Sequence, residues 1–411
     1  MGKLAIVVQR YGKEINGGAE QHARMLAEHL KDSYEIEILT SCAFEYVNWD
    51  NYYKEGLEVI DGINVRRFPS KKKDSKKAGI LTRYFYKTVK YRKRKINPFN
   101  FLYLIIKRKK YKYTEEKFQE WLKETGPYCE DLIIYLKQNK AQYKAIIFFT
   151  YLYYPTNFGI REVSDKSILI PTAHDEPAFY YGFHELFKIP KFIMYNTLSE
   201  KRLVECVYPD SKSISSDVAG VGFDMPVISI VNNNIPDFRY ILYIGRIEEN
   251  KGCKILMDFF KQLDQKYKGE LKLVMVGEKY MDIEFSDNII FTGFITEQEK
   301  WIYLKHTEAL VIPSLYESLS MVTLEAMSFG KPVLANEKCE VLKDHINISK
   351  AGFLYNDYEE FSLQIKKILG LSNSEKEDMA NNGKAYVNKN YQWTSIIDKF
   401  KRAIEYVDAG K

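Results

Sequence analysis

The stretch that decides the fold spans residues 309–333 and reads ALVIPSLYESLSMVTLEAMSFGKPV. The apolar run from Ala309 to Ile312 predicts a buried strand, and the residues from 321 onward predict a helix that ends at Gly330, with Pro332 behind it. Between them lies a loop of small and polar residues. Such a loop leaves backbone N–H groups unpaired at the positive end of a helix, where a hydroxyl or a phosphate can bind.

Two glutamates mark this stretch as a candidate site. Glu317 lies in the loop and Glu325 lies inside the helix. A carboxylate can accept hydrogen bonds from two neighbouring hydroxyl groups, as an acidic residue does toward a ribose. Acidic residues are also common near helix starts, so Glu317 as a helix-terminus acid and Glu325 as a surface residue remain open alternatives.

Short apolar runs alternate with amphipathic stretches along the rest of the chain, a pattern typical of parallel sheets covered by helices. We predict strands at residues 4–8, 35–39, 145–149, 167–170, 240–244, 271–276, 289–292, 309–312 and 333–335. Residues 232–236 form the best break, which gives an α/β domain of residues 1–235 and a second of residues 236–392. Two doubly wound domains of this kind are expected to face each other across a cleft that binds ligands.

A second motif follows the predicted strand at 240–244. Residues 245–252 read GRIEENKG, which places Arg246 and Lys251 five residues apart on a loop bracketed by glycines. Arginine binds phosphate oxygens bidentately and lysine acts as a point charge, so the two cations can flank a diphosphate and stabilise a leaving group.

A third glycine turn lies near the N-terminus. Gly17 and Gly18 precede a predicted helix that has Glu20 in its first turn. The turn offers further N–H groups at a helix start, but it lacks the G-x-G-x-x-G pattern of a nicotinamide dinucleotide site.

Composition places the chain in a broad class. Its 411 residues are 45% hydrophobic and 28% charged, which predicts a soluble globular protein with two cores. No apolar run approaches the roughly 20 residues that span a bilayer, and residues 4–8 are too few for a signal peptide. The five cysteines are scattered without a C-x-x-C pair. We therefore expect a cytoplasmic protein.

The charge is distributed unevenly. Residues 71–112 contain seventeen Lys or Arg residues and one acidic residue, Asp74, so this segment carries +16 within a chain of net charge +6. Aromatic residues alternate with the cations. An acidic membrane attracts each basic residue by about 1 kcal/mol, and aromatic side chains favour the headgroup level. A solvated helical insertion and a nucleic-acid site are the alternatives, and we expect an acidic membrane surface or an anionic acceptor rather than nucleic acid.

Together these motifs resemble the retaining glycosyltransferases of family 4, which have the GT-B fold of two Rossmann-like domains. The resemblance covers nearly the whole chain. It is carried by residues 17–20, by Gly245-Arg246 with Lys251-Gly252, by Tyr316 to Ser320, by Leu324 to Met327 and by Gly330 to Val333. Two glutamates separated by seven residues in this setting are a specific signal.

The resemblance implies roles for individual residues. Arg246 and Lys251 would hold the diphosphate of a nucleotide sugar, Glu317 would contact the donor sugar, and Glu325 would hold the ribose. His174, after the predicted strand at 167–170, fits the position of a histidine near the donor sugar, and an ordinary loop histidine remains the alternative. The implied catalytic set is Glu317, His174, Arg246 and Lys251. The implied donor site adds Gly293, Ser318, Leu319, Ser320 and Glu325, and Gly17, Gly18 and Glu20 form a loop for the acceptor or a phosphate.

The resemblance also implies the reaction. A nucleotide-diphosphate sugar would donate its sugar to a glycan, lipid-linked or polymer acceptor in bacterial cell-surface polysaccharide or glycoconjugate synthesis. From the basic segment at 71–112 we expect the protein to work at the inner face of the cell membrane. Residues 393–411 would form a last helix that returns to the N-terminal domain, which contains the basic insertion at 71–125. The chain has no Asp-x-Asp, so we expect no metal and no other cofactor. A sugar-nucleotide epimerase, a phosphorylase on the same fold and a non-catalytic binder of anionic polymers are the alternatives.

Overall fold

The computed structural model describes residues 2–15, 17–97, 99–225, 236–282 and 286–410. The chain divides into two compact units, the first of residues 1–221 with 396–411 and the second of residues 222–395. The predicted break at residues 232–236 falls almost entirely on residues 226–235, which lie outside the described residues.

The first unit is built on an eight-stranded sheet in the order β3-β4-β2-β1-β5-β6-β7-β8, in which only β3 and β4 pair antiparallel. Its strands are β1 Gly2–Val7, β2 Tyr34–Ser41, β3 Gly56–Ile60, β4 Ile63–Phe68, β5 Ala145–Phe149, β6 Ser167–Ile170, β7 Phe192–Tyr195 and β8 Ser215–Val218. The four strands predicted in this half are present, with ends shifted by at most two residues. The other four were missed, and β8 reads SSDV, which has no apolar run to detect.

Helices cover this sheet because their apolar residues recur at helical spacing. In the first of them Ala23, Leu26, Ala27 and Leu30 are fully buried, as the sequence predicts. The helices are α1 Gly18–Leu30, α2 Ser75–Lys93, α3 Phe101–Lys110, α4 Glu115–Thr125, α5 Glu130–Asn139, α6 Tyr154–Glu162 and α7 Leu198–Val207.

The second unit contains a six-stranded parallel sheet in the order β11-β10-β9-β12-β13-β14. Its strands are β9 Arg239–Ile244, β10 Leu271–Val276, β11 Ile289–Gly293, β12 Ala309–Ile312, β13 Val333–Asn336 and β14 Gly352–Tyr355. The strand order reverses between β9 and β12. Ligands bind at such a switch point, beyond the carboxyl ends of the strands. The loops that follow β9 and β12 are therefore the expected ligand-binding loops of this sheet.

Seven helices remain among the described residues, and most of the last one belongs to the first unit. They are α8 Cys253–Tyr267, α9 Glu297–His306, α10 Met321–Ser328, α11 Glu340–Ser349, α12 Tyr358–Leu369, α13 Asn373–Asn390 and α14 Trp393–Asp408. The last of these continues into the residues of the first unit, where Lys144 pairs with Asp408 at 2.6 Å and the Ser215 hydroxyl donates to Tyr406 at 2.8 Å.

The basic insertion folds as α2, α3 and α4. Phe85 of α2 is fully buried among the rings of Phe118, Trp121 and Tyr181. Tyr91 is also buried, so these two aromatics of the insertion belong to a core and not to an interface. Among the described residues, no helix combines the length and apolar character needed to cross a bilayer.

Candidate functional site

The loops after β9 and β12 lie side by side because glycine allows their backbones to meet. Gly252 has a φ of 76°, in the left-handed region that favours glycine. A Cβ atom there would lie 2.5 Å from the carbonyl oxygen of Pro313. Any larger residue at position 252 would push the two loops apart.

Lys251 and Glu317 meet between these loops. The Lys251 Nζ atom lies 2.9 Å from Glu317 Oε1, and the two side chains are 28% and 17% exposed. The structure thus brings together two residues that are 66 positions apart and that sequence analysis assigned to one site. Glu317 lies in the loop before α10 and not within the helix, as predicted from its position.

Arg246 is held by its backbone, while its side chain is more accessible. Its carbonyl oxygen accepts a hydrogen bond from the Tyr243 hydroxyl at 2.8 Å. Its guanidinium lies 3.3 Å from Glu248 and the side chain is 39% exposed. Glu248 was not singled out from the sequence. The two expected phosphate-binding cations are therefore both present, each beside a carboxylate.

Glu325 is buried, which excludes the alternative of a surface helix residue. It is 8% exposed, and its carboxylate lies 3.1 Å from the Nζ atom of Lys300 on α9. Burial raises the pKa of Glu325, and the Lys300 cation opposes that rise. Burial alone would lower the pKa of Lys300, but Glu325 and Glu297 together raise it, so the ammonium stays charged. Lys300 was missed, because nothing in its local sequence links it to a residue 25 positions away.

Residues 318–320 complete the loop between Glu317 and α10. Leu319 is buried, and its carbonyl oxygen accepts a hydrogen bond from His345 Nε2 at 2.7 Å. Ser320 is buried, has a φ of 63°, and shares a hydrogen bond of 2.9 Å with the Thr323 hydroxyl. Because the Leu319 side chain is buried, we expect Leu319 to contact a sugar donor only through its main chain.

His345 supports this loop from α11. Because Nε2 donates to a carbonyl, Nδ1 of the neutral ring accepts the hydrogen bond of 2.8 Å from the Tyr386 hydroxyl. Burial lowers the pKa of His345, which favours that neutral ring. The sequence analysis missed this residue.

Gly293 ends β11 at the same edge of the sheet. It has a φ of 70°, its carbonyl accepts from Gly277 N–H at 3.0 Å, and no atom lies within 4 Å of the position a Cβ would take. The space beside Gly293 is thus open.

In the first unit, the Glu20 carboxylate forms an ion pair with Arg10. Arg10 donates to one Glu20 oxygen from Nε at 2.9 Å and from Nη2 at 2.6 Å, and both residues are buried. Gly17 is the N-cap of α1, and a Cβ there would overlap the Glu20 carboxylate. Arg10 and Glu20 therefore shape the loop expected to take an acceptor or a phosphate, and Arg10 was missed from the sequence.

His174 lies on the loop after β6. Its Nδ1 atom is 3.4 Å from Glu176, which also accepts a hydrogen bond from Tyr151. Nearby, buried Glu200 accepts hydrogen bonds of 2.5 Å from the backbone N–H groups of Ala173 and Asn196. Burial raises the pKa of Glu200 to about 8. Glu200 thus fixes the segment that carries His174.

Solved structures define the class of fold. The chain aligns over its whole length with a sucrose-phosphate synthase from Thermosynechococcus elongatus, at a TM-score of 0.69, 16% identity and full coverage of both chains. Anabaena HepE, solved in complex with UDP and glucose, aligns at a TM-score of 0.65 and 13% identity over 98% of this chain and all of that chain. The two α/β sheets thus form the GT-B fold, as predicted.

Comparison with protein families then indicates which kind of enzyme the second unit resembles. Residues 226–386 match the family model described as glycosyl transferases group 1, which is less than half of the chain. A lipopolysaccharide 1,2-N-acetylglucosaminetransferase from Salmonella typhimurium is 25% identical over 42% of this chain and 50% of its own length. A lipopolysaccharide 1,6-galactosyltransferase from the same organism is 26% identical over 61% of this chain and 66% of its own length.

A protein of Klebsiella pneumoniae from a cps region is 31% identical over 28% of this chain and 32% of its own length. The chain therefore matches two thirds or less of the length of each of these three curated relatives. The family match covers most of the second domain predicted from the sequence, residues 236–392.

Proposed function

We propose that this protein is a retaining glycosyltransferase of family 4 that moves a sugar from a nucleotide-diphosphate sugar to a glycan, lipid-linked or polymer acceptor. The observation that carries the proposal is the Lys251–Glu317 contact at the topological switch point of the second sheet. The names of the two Salmonella relatives favour a lipopolysaccharide-like acceptor and a place in cell-surface glycan synthesis.

In this proposal the two cations bind the diphosphate. Lys251 exchanges its carboxylate partner for phosphate oxygens, and Arg246 adds a bidentate contact. Both charges then stabilise the leaving nucleoside diphosphate as the bond to the sugar breaks. The open space at Gly293 admits part of the donor close to the backbone. Because two cations serve the diphosphate, transfer is proposed to need no metal.

We assign separate roles to the carboxylates of Glu317 and Glu325. Glu317, released from Lys251, accepts hydrogen bonds from the donor sugar, and Glu325, paired with Lys300, accepts them from the ribose hydroxyls. The N–H groups of residues 318–320 add donors at the start of α10. His174 is proposed to contribute to transfer from the first unit.

The proposed transfer takes place on one face of the sugar. A double displacement would need a carboxylate nucleophile at the anomeric carbon. Glu317 is assigned to sugar hydroxyls, so we assign the proton of the acceptor hydroxyl to the leaving phosphate oxygen. The bond from the sugar to that oxygen breaks as the bond to the acceptor oxygen forms, with retention at the anomeric carbon.

The test combines binding with transfer. A thermal-shift screen against nucleotide sugars identifies the donor, since a ligand at 100 times its Kd stabilises by about 2.7 kcal/mol. Arg246→Ala and Lys251→Ala should each weaken nucleoside diphosphate binding by about 1.5 to 3 kcal/mol in calorimetry. Lys254→Ala is the matched control, because Lys254 is 59% exposed and pairs with Asp258 on the same helix.

Parent-like binding by both site variants would refute the assignment of the cations. Transfer of labelled sugar to a glycan or lipid acceptor separates this function from epimerisation and from non-catalytic binding. Donor binding without transfer to any glycan or lipid acceptor would refute the transferase proposal.

We further propose that the protein works at the inner face of a cell membrane, with residues 71–112 docking on an acidic surface. The local charge of +16 would attract nucleic acid as well as an acidic membrane. The exposed apolar residues of the same segment favour the membrane. Docking would place a lipid-linked acceptor within reach of the enzyme.

A further inference from the structure

An apolar surface occurs within the most basic part of the chain. Besides Tyr103, six large hydrophobic side chains between residues 96 and 106 are exposed, and we call these six the apolar tip: Ile96, Phe99, Phe101, Leu102, Ile105 and Ile106. Phe99 is 98% exposed and Leu102 is 68% exposed. Elsewhere in the described chain, exposed large hydrophobic residues are more widely spaced along the sequence. Clustering of this kind marks an interaction site, whereas single exposed apolar residues are ordinary.

The apolar tip rests on an ordered support. Leu104, on the side of α3 away from Leu102 and Ile106, is fully buried, and Arg108 donates from Nε to the Tyr91 carbonyl at 3.0 Å. The Arg108 Nη2 atom also donates to the carbonyls of Arg92 and Arg94, at 3.2 and 3.0 Å. Arg108 thus ties α3 to the end of α2, while Phe101, Leu102, Ile105 and Ile106 of α3 are exposed among the described residues.

Cations border the apolar tip on both sides. Four precede it as residues 92–95, and four follow it as residues 107–110. Lys95 and Lys109 are both exposed. Apolar residues bordered by cations match the boundary between the anionic headgroups and the acyl chains of a bilayer, where each kind of side chain finds a favourable partner.

Charge and chemistry favour this occupant over others. A second copy of the chain that paired through this same surface would bring another surface of the same sign, which is repulsive. A nucleic acid or an anionic polymer would contact the cations, but it would gain nothing from exposed Leu102, Ile105 and Ile106. An acidic bilayer uses both halves of the surface.

We propose that the apolar tip inserts into the headgroup region of an anionic bilayer while the bordering cations bind lipid phosphates. This inference rests on the membrane docking proposed above and deepens it, since docking by charge alone would leave the tip in water. Leu102 and Ile106, one turn apart on α3, enter the interface together with Phe99.

The test uses the full chain and vesicle flotation. Vesicles of phosphatidylglycerol with phosphatidylcholine are compared with phosphatidylcholine alone. The tip variant Leu102→Ser/Ile106→Ser should bind acidic vesicles at least about tenfold more weakly than the parent. The control variant Ile348→Ser/Leu363→Ser replaces two residues of the second unit that are each 61% exposed, and it should bind like the parent.

A second readout reports insertion directly. In a Phe99→Trp variant, lipids brominated on their acyl chains should quench the added tryptophan fluorescence in acidic vesicles. A charge variant, Lys95→Gln/Lys109→Gln, should weaken binding most at low salt, because surface attraction is screened over about 8 Å at physiological ionic strength.

The outcomes separate the two proposals. Parent-like vesicle binding by the tip variant, with no quenching at position 99, overturns insertion and leaves charge-driven docking in place. Absence of binding to acidic vesicles at low salt overturns both and leaves sugar transfer to its own assay. A parent dimer that becomes a monomer in the tip variant, with vesicle binding unchanged, assigns the surface to a second copy and overturns insertion.

Discussion

Replacing Lys300 by methionine tests whether a buried cation prepares the proposed ribose site. In the parent, Lys300 lies 3.1 Å from Glu325, and the two side chains are 12% and 10% exposed. Methionine keeps most of the side-chain volume but removes the charge. Glu325 is then left as a buried carboxylate without its cation. Breaking a buried pair from one side costs about 3 to 5 kcal/mol of folding free energy.

The expected functional effect follows from the protonation of Glu325. Burial already raises its pKa, and loss of Lys300 raises it further. A protonated carboxyl loses charge-assisted hydrogen bonds with ribose that are worth about 1.5 to 3 kcal/mol, which is roughly a 10- to 150-fold weaker Kd. Binding by Lys300→Met should recover as the pH rises from the ordinary glutamate range through the raised pKa of Glu325, because the charged carboxylate returns above its pKa.

Stability should move in the opposite direction with pH. A carboxyl whose folded-state pKa exceeds its unfolded value opposes folding once it is charged. The free energy of unfolding of Lys300→Met should therefore fall as pH rises from the ordinary glutamate range through the raised pKa of Glu325. Lys300→Met/Glu325→Leu should regain stability, because no unpaired buried charge remains.

Calorimetry with the nucleoside diphosphate that stabilises the parent most is the assay, and Lys300→Arg is the charge-conserving control. The reasoning is refuted if Lys300→Met binds this ligand as tightly as the parent across that pH range. Parent-like folding stability of the variant would equally contradict the view that Lys300 compensates a buried charge.

Three further predictions concern the same site. Glu317→Gln should lower kcat strongly, whereas Glu325→Gln should mainly raise the donor KM, and equal effects of the two variants on both parameters would remove their separate roles. Activity should survive exhaustive chelation, and a complete loss restored by Mg²⁺ or Mn²⁺ would contradict the assignment of the diphosphate to the two cations. His345→Ala should cost about 2 to 3 kcal/mol of folding free energy and raise the donor KM, since it frees the Leu319 carbonyl. Tyr386→Phe, which removes only the outer hydrogen bond of His345, should do less in the same denaturation and kinetic assays, and an equal loss in both would show that the contact with Leu319 is not what matters.

Much of the fold could be predicted because buried parallel strands read as short apolar runs. The strand at Ala309–Ile312 and the loop behind it were located within the sequence alone, and the structure places both at the switch point. The loop glutamate was found because its spacing from Glu325 is local. Strand β8 was missed because its polar residues carry no such pattern.

The supporting contacts could not be predicted because they join distant parts of the chain. Lys300, His345, Glu200 and Arg10 each hold a predicted site segment from another element, and no sequence period relates a side chain to a partner in a separate loop. Burial was hidden for a similar reason. Phe85 looks like an interfacial aromatic in the sequence, and only the packing of α2 on α4 shows that it is core.

Because most of helix α14 belongs to the first unit, the two units differ in the pieces of chain that each would need if it were produced separately. The second unit is a single continuous stretch, residues 222–395, whereas the first needs two pieces of chain. A protein that stopped at residue 221 would lose the Lys144–Asp408 ion pair, the Ser215–Tyr406 hydrogen bond and the hydrogen bond from Lys399 to the Val218 carbonyl, which ties α14 to β8. We therefore expect the isolated first unit to be more stable when residues 396–411 are supplied through a linker or as a separate peptide, which denaturation with and without the peptide would measure.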